Sequence, residues 1–137
     1  MIGIVIVAHG GLAQEYLAAL EHVVGRHRGT RAVAIAADDD RDTKQSEIDQ
    51  AIKAVDDGSG VVIVTDIHGG TPANLACRAS ADESRVVLCG ANLPLLIKLS
   101  QARRLKLRDA VDCALTAGRK YMNSAERLDA NGIMMRF

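Results

Sequence analysis

Two short segments carry residue types that can do chemistry together. Ala8-His9-Gly10-Gly11 puts an imidazole at the end of one apolar run. Asp66-Ile67-His68-Gly69-Gly70-Thr71-Pro72 puts a carboxylate and a glycine loop at the end of another. An imidazole that attacks phosphorus must present a neutral ring nitrogen. A carboxylate accepting from the other nitrogen fixes the tautomer and stabilises the positive ring that develops on phosphorylation. The phosphoryl oxygens then need donors. The backbone N–H groups of Gly69, Gly70 and Thr71, just ahead of a helix N-terminus, supply them together with the Thr71 hydroxyl. His9 and Asp66 are therefore the candidate catalytic residues, and Gly69, Gly70 and Thr71 the candidate phosphate-binding residues. Singly, a histidine after a strand is commonly a loop or capping residue, and Gly-Gly-Thr-Pro is a turn before a helix. Their occurrence at two strand ends is what points to a site.

The surrounding elements must bring those ends together. Ile2 to Ala8 is a β-branched run and predicts a strand buried on both faces. Leu12, Tyr16, Leu20 and Val24 then repeat at helical spacing, and Gly25 and Gly29 close that helix. Arg31 to Ala37 predicts a second strand, and a helix from about Thr43 carries Ile48, Ile52 and Val55 on one face. Val61 to Thr65 is the third strand and runs into the Asp66 loop. Pro72 suits the first turn of the helix continuing through Ala73 to Ala81. Val86 to Cys89 predicts a fourth strand, Pro94 opens a helix, and Asp109 to about Asn123 forms the last one. Ile133 to Phe137 has room for a short terminal strand. Strands alternating with helices, each strand apolar throughout, indicate one doubly wound α/β domain over residues 1–137. Its mainly parallel sheet is covered by helices on both faces. If strands one and three are neighbours, His9 and Asp66 emerge together at the carboxyl edge, where such sheets bind ligands.

Composition narrows the function. Lys plus Arg and Asp plus Glu number 17 each, so no global basic field recruits nucleic acid or anionic lipid. Tyr16, Tyr121 and Phe137 are the only aromatic residues, too few for a base-stacking or sugar-stacking platform. Cys77, Cys89 and Cys113 form no C-x-x-C pair, which argues against a disulfide framework or zinc site. It favours reduced thiols packed in the core of a cytoplasmic protein. The opening apolar run has no basic residue before it and is too short to span a bilayer, so no membrane insertion is expected. No dinucleotide fingerprint or Walker loop is present, and no cofactor or metal is expected.

At the candidate site residues the chain resembles the mannose-type IIA components of the bacterial phosphoenolpyruvate-dependent sugar phosphotransferase system. IGIVIVAHGGLA is similar to the family's opening strand with its phosphorylated histidine, matching His9. TDIHGGTPANLA resembles its Asp-x-x-Gly-Gly-Ser/Thr-Pro-x-Asn motif, matching Asp66, Gly69, Gly70, Thr71, Pro72 and Asn74. GANLPLLIKL resembles its Asn-Leu-Pro turn, matching Asn92, Leu93 and Pro94. The resemblance implies a phosphohistidine at His9, charged by the carrier HPr and discharged to a IIB protein. It implies an orienting role for Asp66 and phosphate contacts from the Gly69, Gly70 and Thr71 loop. It also implies a homodimer that exchanges the C-terminal strand. Two features depart from it: His68 stands where an aromatic residue is common, and a chain without a fused IIB domain is expected.

The remaining charged groups have plainer readings. Asp38-Asp39-Asp40 resembles a receiver-domain magnesium cluster, but negative charge before a helix N-terminus is the simpler account. His22, His27 and His68 are expected in solvent. Arg103, Arg104, Lys106 and Arg108 suit an acidic partner patch or, more simply, a solvated helix end. The functional alternative to a carrier is a regulatory phosphoprotein of the same fold that controls a partner without sugar transport. The phosphohistidine subunit of a dihydroxyacetone kinase is a third reading, for which the Gly-Gly-Thr-Pro motif is not expected.

Overall fold

A computed structural model of the chain describes residues 1–124 and 129–133. Nine elements follow one another: β1 (Gly3–His9), α1 (Leu12–Val24), β2 (Thr30–Ile35), α2 (Arg41–Val55), β3 (Val61–Thr65), α3 (Gly70–Ala79), β4 (Arg85–Cys89), α4 (Leu93–Gln101) and α5 (Leu107–Lys120). The strands form one parallel sheet in the order β2-β1-β3-β4. The α/β class, the parallel sheet and the adjacency of the first and third strands are as the sequence predicts.

β1 shows why its residues are apolar throughout. Ile4, Ile6 and Ala8 face one core with Leu20, Leu95, Leu96, Leu99 and Ala114. Val5 and Val7 face the other with Ile48, Ile52, Leu75 and Ala76. Helices α1, α4 and α5 therefore cover one face and α2 and α3 the other. That placement gives β1-α1-β2 and β3-α3-β4 crossovers of the same hand, as the uniform handedness of parallel crossovers requires. The chain winds outward from β1 in one direction, then from β3 in the other. The topological switch point lies between the carboxyl ends of β1 and β3.

Most boundaries fall within two residues of expectation, the end of α5 at Lys120 rather than about Asn123 being the exception. Two of the small shifts have local causes. β2 stops at Ile35 because Ala36 donates its N–H to the Asp39 carboxylate at 2.7 Å and leaves the ladder. α2 begins at Arg41, earlier than its apolar periodicity, because Asp40 caps it by accepting from Thr43 N–H at 2.9 Å and Thr43 Oγ1 at 2.7 Å. The plain reading of that acidic run thus holds for Asp40. Leu12, placed on the inner stripe of α1 by its spacing, is 40 % exposed; Ala13 takes the buried position at the start of that helix. Residues 134–137 of the expected terminal strand lie outside the described residues.

Two groups of residues sit where composition did not put them. Cys77 and Cys113 are exposed and Cys89 is half-buried, so the thiols are not core hydrophobes. α3 buries Ala73, Leu75, Ala76 and Ala79, and α5 buries Ala110, Val111, Ala114 and Ala117; each cysteine falls on the opposite face. Arg103 is not solvated: it is 4 % exposed and its Nε donates to Ile2 O at 2.7 Å. Arg104, Lys106 and Arg108 of the same basic run are exposed.

Candidate functional site

The site is built from the ends of β1 and β3. Their register pairs Val7 with Thr65, so the residues that follow each strand leave the sheet side by side. The strand direction thereby delivers His9 and Asp66 to one point. His9 Nδ1 lies 2.7 Å from Asp66 Oδ2, and the same oxygen accepts the His9 backbone N–H at 3.0 Å. Asp66 Oδ1 accepts from Ile67 N–H at 3.0 Å.

These contacts fix which ring nitrogen carries the shared hydrogen. Burial drives the Asp66 pKa up. Hydrogen bonds from the His9 backbone and ring and from Ile67 outweigh it, and the carboxyl is held below its ordinary value. An ionised carboxylate only accepts hydrogen bonds, so the hydrogen between it and the ring belongs to Nδ1. In the neutral tautomer this leaves the lone pair on Nε2. The Asp66 side chain is 7 % exposed while that of His9 is 50 % exposed. The orienting group is enclosed and the ring it holds faces solvent.

The glycine loop closes the other side of the ring. Gly69 and Gly70 have φ of 91° and 83°, values that side-chain-bearing residues rarely adopt. A Cβ on Gly70 would stand 3.4 Å from His9 Cε1 and 3.5 Å from Nε2. Backbone therefore approaches Nε2 where any side chain would crowd it. No side chain caps α3, in contrast with α2 and with α4, where Asn92 accepts from Leu95 N–H at 2.9 Å. The first-turn N–H groups of α3 are left for an external acceptor. Thr71 lines a cavity of about 460 Å³ with His9, Gly10, Ile35, Asp39, Arg41, Lys44 and Leu75.

The structure therefore brings His9, Asp66, Gly70 and Thr71 together. Gly69 caps α3 with open space where its side chain would be. His68 is exposed beside the loop, as are His22 and His27 on and after α1. Among the described residues, no group of three His, Cys, Asp or Glu side chains is placed to hold a metal ion. No helix among them is long and apolar enough to cross a membrane. Sequence reasoning missed Arg41 and Lys44 in the cavity wall; the only signal was two cations in the first residues of a helix, where its dipole disfavours them.

A doubly wound parallel sheet with polar groups gathered at its switch point defines the chain as an α/β protein with a crevice-type site. More specifically, it belongs to the PTS system fructose IIA component family, whose model matches residues 3–114. The fructose-specific EIIA component of Bacillus subtilis (strain 168) is 30 % identical over 114 residues, covering 82 % of this chain and 78 % of that one. The mannose-specific EIIAB component of Escherichia coli (strain K12) is 28 % identical over 103 residues. The match covers 74 % of this chain but only 32 % of that longer protein. Among solved structures, the phosphotransferase system component EIIA from Streptococcus agalactiae superposes with a TM-score of 0.79 at 27 % identity. That match covers 90 % of this chain and 97 % of the other. The mannose/sorbose-specific IIA subunit from Enterococcus faecalis superposes with a TM-score of 0.82 at 21 % identity over 93 % and 97 %, which shows the shared fold. The chain is thus a phosphotransferase-system EIIA component, a class of phosphotransfer protein.

Proposed function

We propose that this chain, as a single IIA domain over residues 1–137, is a phosphocarrier. It accepts a phosphoryl group on His9 from a phosphorylated HPr-like protein and passes it to a IIB protein in the cytoplasm. The observation that carries the reading is the 2.7 Å contact between His9 Nδ1 and the ionised Asp66, which leaves Nε2 free beside the glycine loop. In the forward step the Nε2 lone pair attacks phosphorus in line with the donor's N–P bond. That bond breaks, its electron pair returns to the donor imidazole, and a new N–P bond forms at Nε2. The Nδ1 proton stays in place, so the phosphorylated ring is cationic and Asp66 stabilises it. Gly70 and Thr71 N–H groups and the Thr71 hydroxyl receive the phosphoryl oxygens, with Gly69 shaping the turn. Transfer onward reverses the same geometry toward a new acceptor nitrogen. The resemblance to IIA components extends the proposal to a homodimer with exchanged C-terminal strands.

The test is phosphate incorporation from phosphoenolpyruvate with the general phosphotransferase proteins supplied, comparing wild type with His9→Ala, followed by addition of a IIB protein. Acid-labile label on wild type alone, chased onto IIB, is the expected result. Label that stops at His9 with every IIB protein offered supports the regulatory alternative. A labelled His9→Ala variant contradicts the assignment.

A further inference from the structure

Arg41 stands at the first position of α2, where the aligned peptide dipoles make a cation unfavourable. Its neighbours in sequence are Asp38, Asp39, Asp40 and Asp42. Even so, it makes no ion pair or hydrogen bond with any of them. Asp39 is used by Ala36 N–H and lies 3.7 Å from Lys44 Nζ, and Asp40 caps Thr43. Lys44 is engaged a second time, by Glu47 at 2.8 Å. What remains is an exposed guanidinium with no ion pair or hydrogen bond among the described residues, in the wall of the cavity that His9 and Thr71 share. The one carboxylate in that wall, Asp39, faces Lys44 Nζ at 3.7 Å.

We propose that Arg41, backed by Lys44, is the cationic half of the phosphoryl site: its guanidinium closes on the phosphoryl oxygens from the α2 side while the α3 loop holds them from the other. The proposal rests on the phosphocarrier reading of His9 and adds to it a residue outside the glycine loop. The chemistry is specific. A phosphoryl group in transfer spreads negative charge over three oxygens, and backbone amides on one side supply hydrogen bonds but no net charge. A planar guanidinium can engage two of those oxygens at once, which an ammonium cannot. Because the flanking aspartates leave Arg41 unpaired, it can turn to the anion without first breaking an ion pair. Lys44, tied to Glu47 and Asp39, contributes field rather than contact.

Phosphoramidate, a small donor that phosphorylates imidazoles without a partner protein, separates this from the carrier reading. The full chain, R41Q, R41K and K44Q are followed by ³¹P NMR for the initial rate at His9. Binding of inorganic phosphate is read from the His9 ring signals. R41Q is expected to slow phosphorylation about tenfold and weaken phosphate binding comparably, with K44Q about two- to threefold. R41K should recover part of the binding and little of the rate. The melting temperature of R41Q should stay within about 2 °C of wild type, since Arg41 is exposed and stands against the helix dipole. R41Q that matches wild type in rate and phosphate affinity overturns the clamp and leaves the carrier intact. A loss that travels with a lowered melting temperature makes Arg41 structural and also overturns it. Wild type that accepts from phosphoramidate but from no phosphorylated HPr sinks the carrier reading and leaves the clamp standing. Acceptance from neither donor sinks both.

Discussion

The two ends of β1 each hold one ionisable side chain against the strand, and the two are treated in opposite ways. At the carboxyl end, the His9 ring is half-exposed, anchored through one nitrogen to Asp66 and open at the other. At the amino end, Arg103 is buried between the strand and the α4–α5 connection. Ile2 donates to Arg103 O at 2.9 Å, and Arg103 Nε donates to Ile2 O at 2.7 Å. Gly29 packs so closely on that guanidinium that a Cβ there would stand 1.7 Å from Nη2. Arg103 Nη1 is buried with no hydrogen-bond partner among the described residues. Burial pulls the Arg103 pKa below its ordinary value, with the charge of Asp57 opposing. One charge is spent on tying the chain together. The His9 ring is positioned by a buried partner and keeps one nitrogen open to solvent. What separates a structural polar group from a chemical one here is whether a bonding position remains unspent and reachable.

That contrast can be broken from either side. Removing the amino-end tie should give the largest effect: Arg103→Ala loses the bond to Ile2 and the packing of the long stem. Urea unfolding should show a loss of about 3 kcal/mol, with the melting temperature down by about 10 °C. The rate of His9 phosphorylation below the transition should be unchanged. Asp66→Asn makes the complementary cut. It leaves the ring in place but removes the negative charge and replaces an acceptor-only carboxylate with an amide that can also donate, so the Nδ1–H tautomer is no longer enforced. Acceptance from phosphorylated HPr should slow about a hundredfold, a transition-state loss of about 2.7 kcal/mol, while the fold persists. A smaller effect is expected from Gly29→Ala, which must displace the Arg103 guanidinium. It should cost about 1–2 kcal/mol in wild type and close to nothing in an Arg103→Ala background, a coupling that a double-mutant cycle measures.

Acid separates the ends further. The folded Asp66 carboxyl titrates below its ordinary 3.8. Its stabilising contribution is therefore complete above that value and is lost as pH falls through the lower folded value. Stability curves measured from neutral pH into acid should fall more steeply for wild type than for Asp66→Asn below about pH 4. The smallest effect belongs to His68→Ala: an exposed loop side chain whose loss should change the rate of phosphoramidate labelling by less than about twofold.

Much of this was legible in the residues because it depends on local pattern. Ile2 to Ala8 and Val61 to Thr65 announce buried parallel strands. The residues at the ends of such strands must emerge at one edge, so the sequence alone places His9 beside Asp66. Arg103 was not legible, because the group it bonds lies at the other end of the chain and a run of cations looks the same whether solvated or buried. Cys77 and Cys113 misled for a related reason. Their chemistry suits a core, but their helical phase puts alanine there instead. Arg41 was hidden among aspartates that any sequence reading would pair with it. The structure instead leaves it without a partner among those aspartates and in the wall of the cavity that His9 lines.

The central claim is that Asp66 occupies Nδ1 and leaves Nε2 to take the phosphoryl group. Heteronuclear NMR of the phosphorylated, ¹⁵N-labelled chain reads this directly from which ring nitrogen couples to phosphorus. Phosphorus on Nε2 of His9, with Nδ1 still protonated, is the predicted result. Phosphorus on Nδ1, or on any residue other than His9, would contradict it.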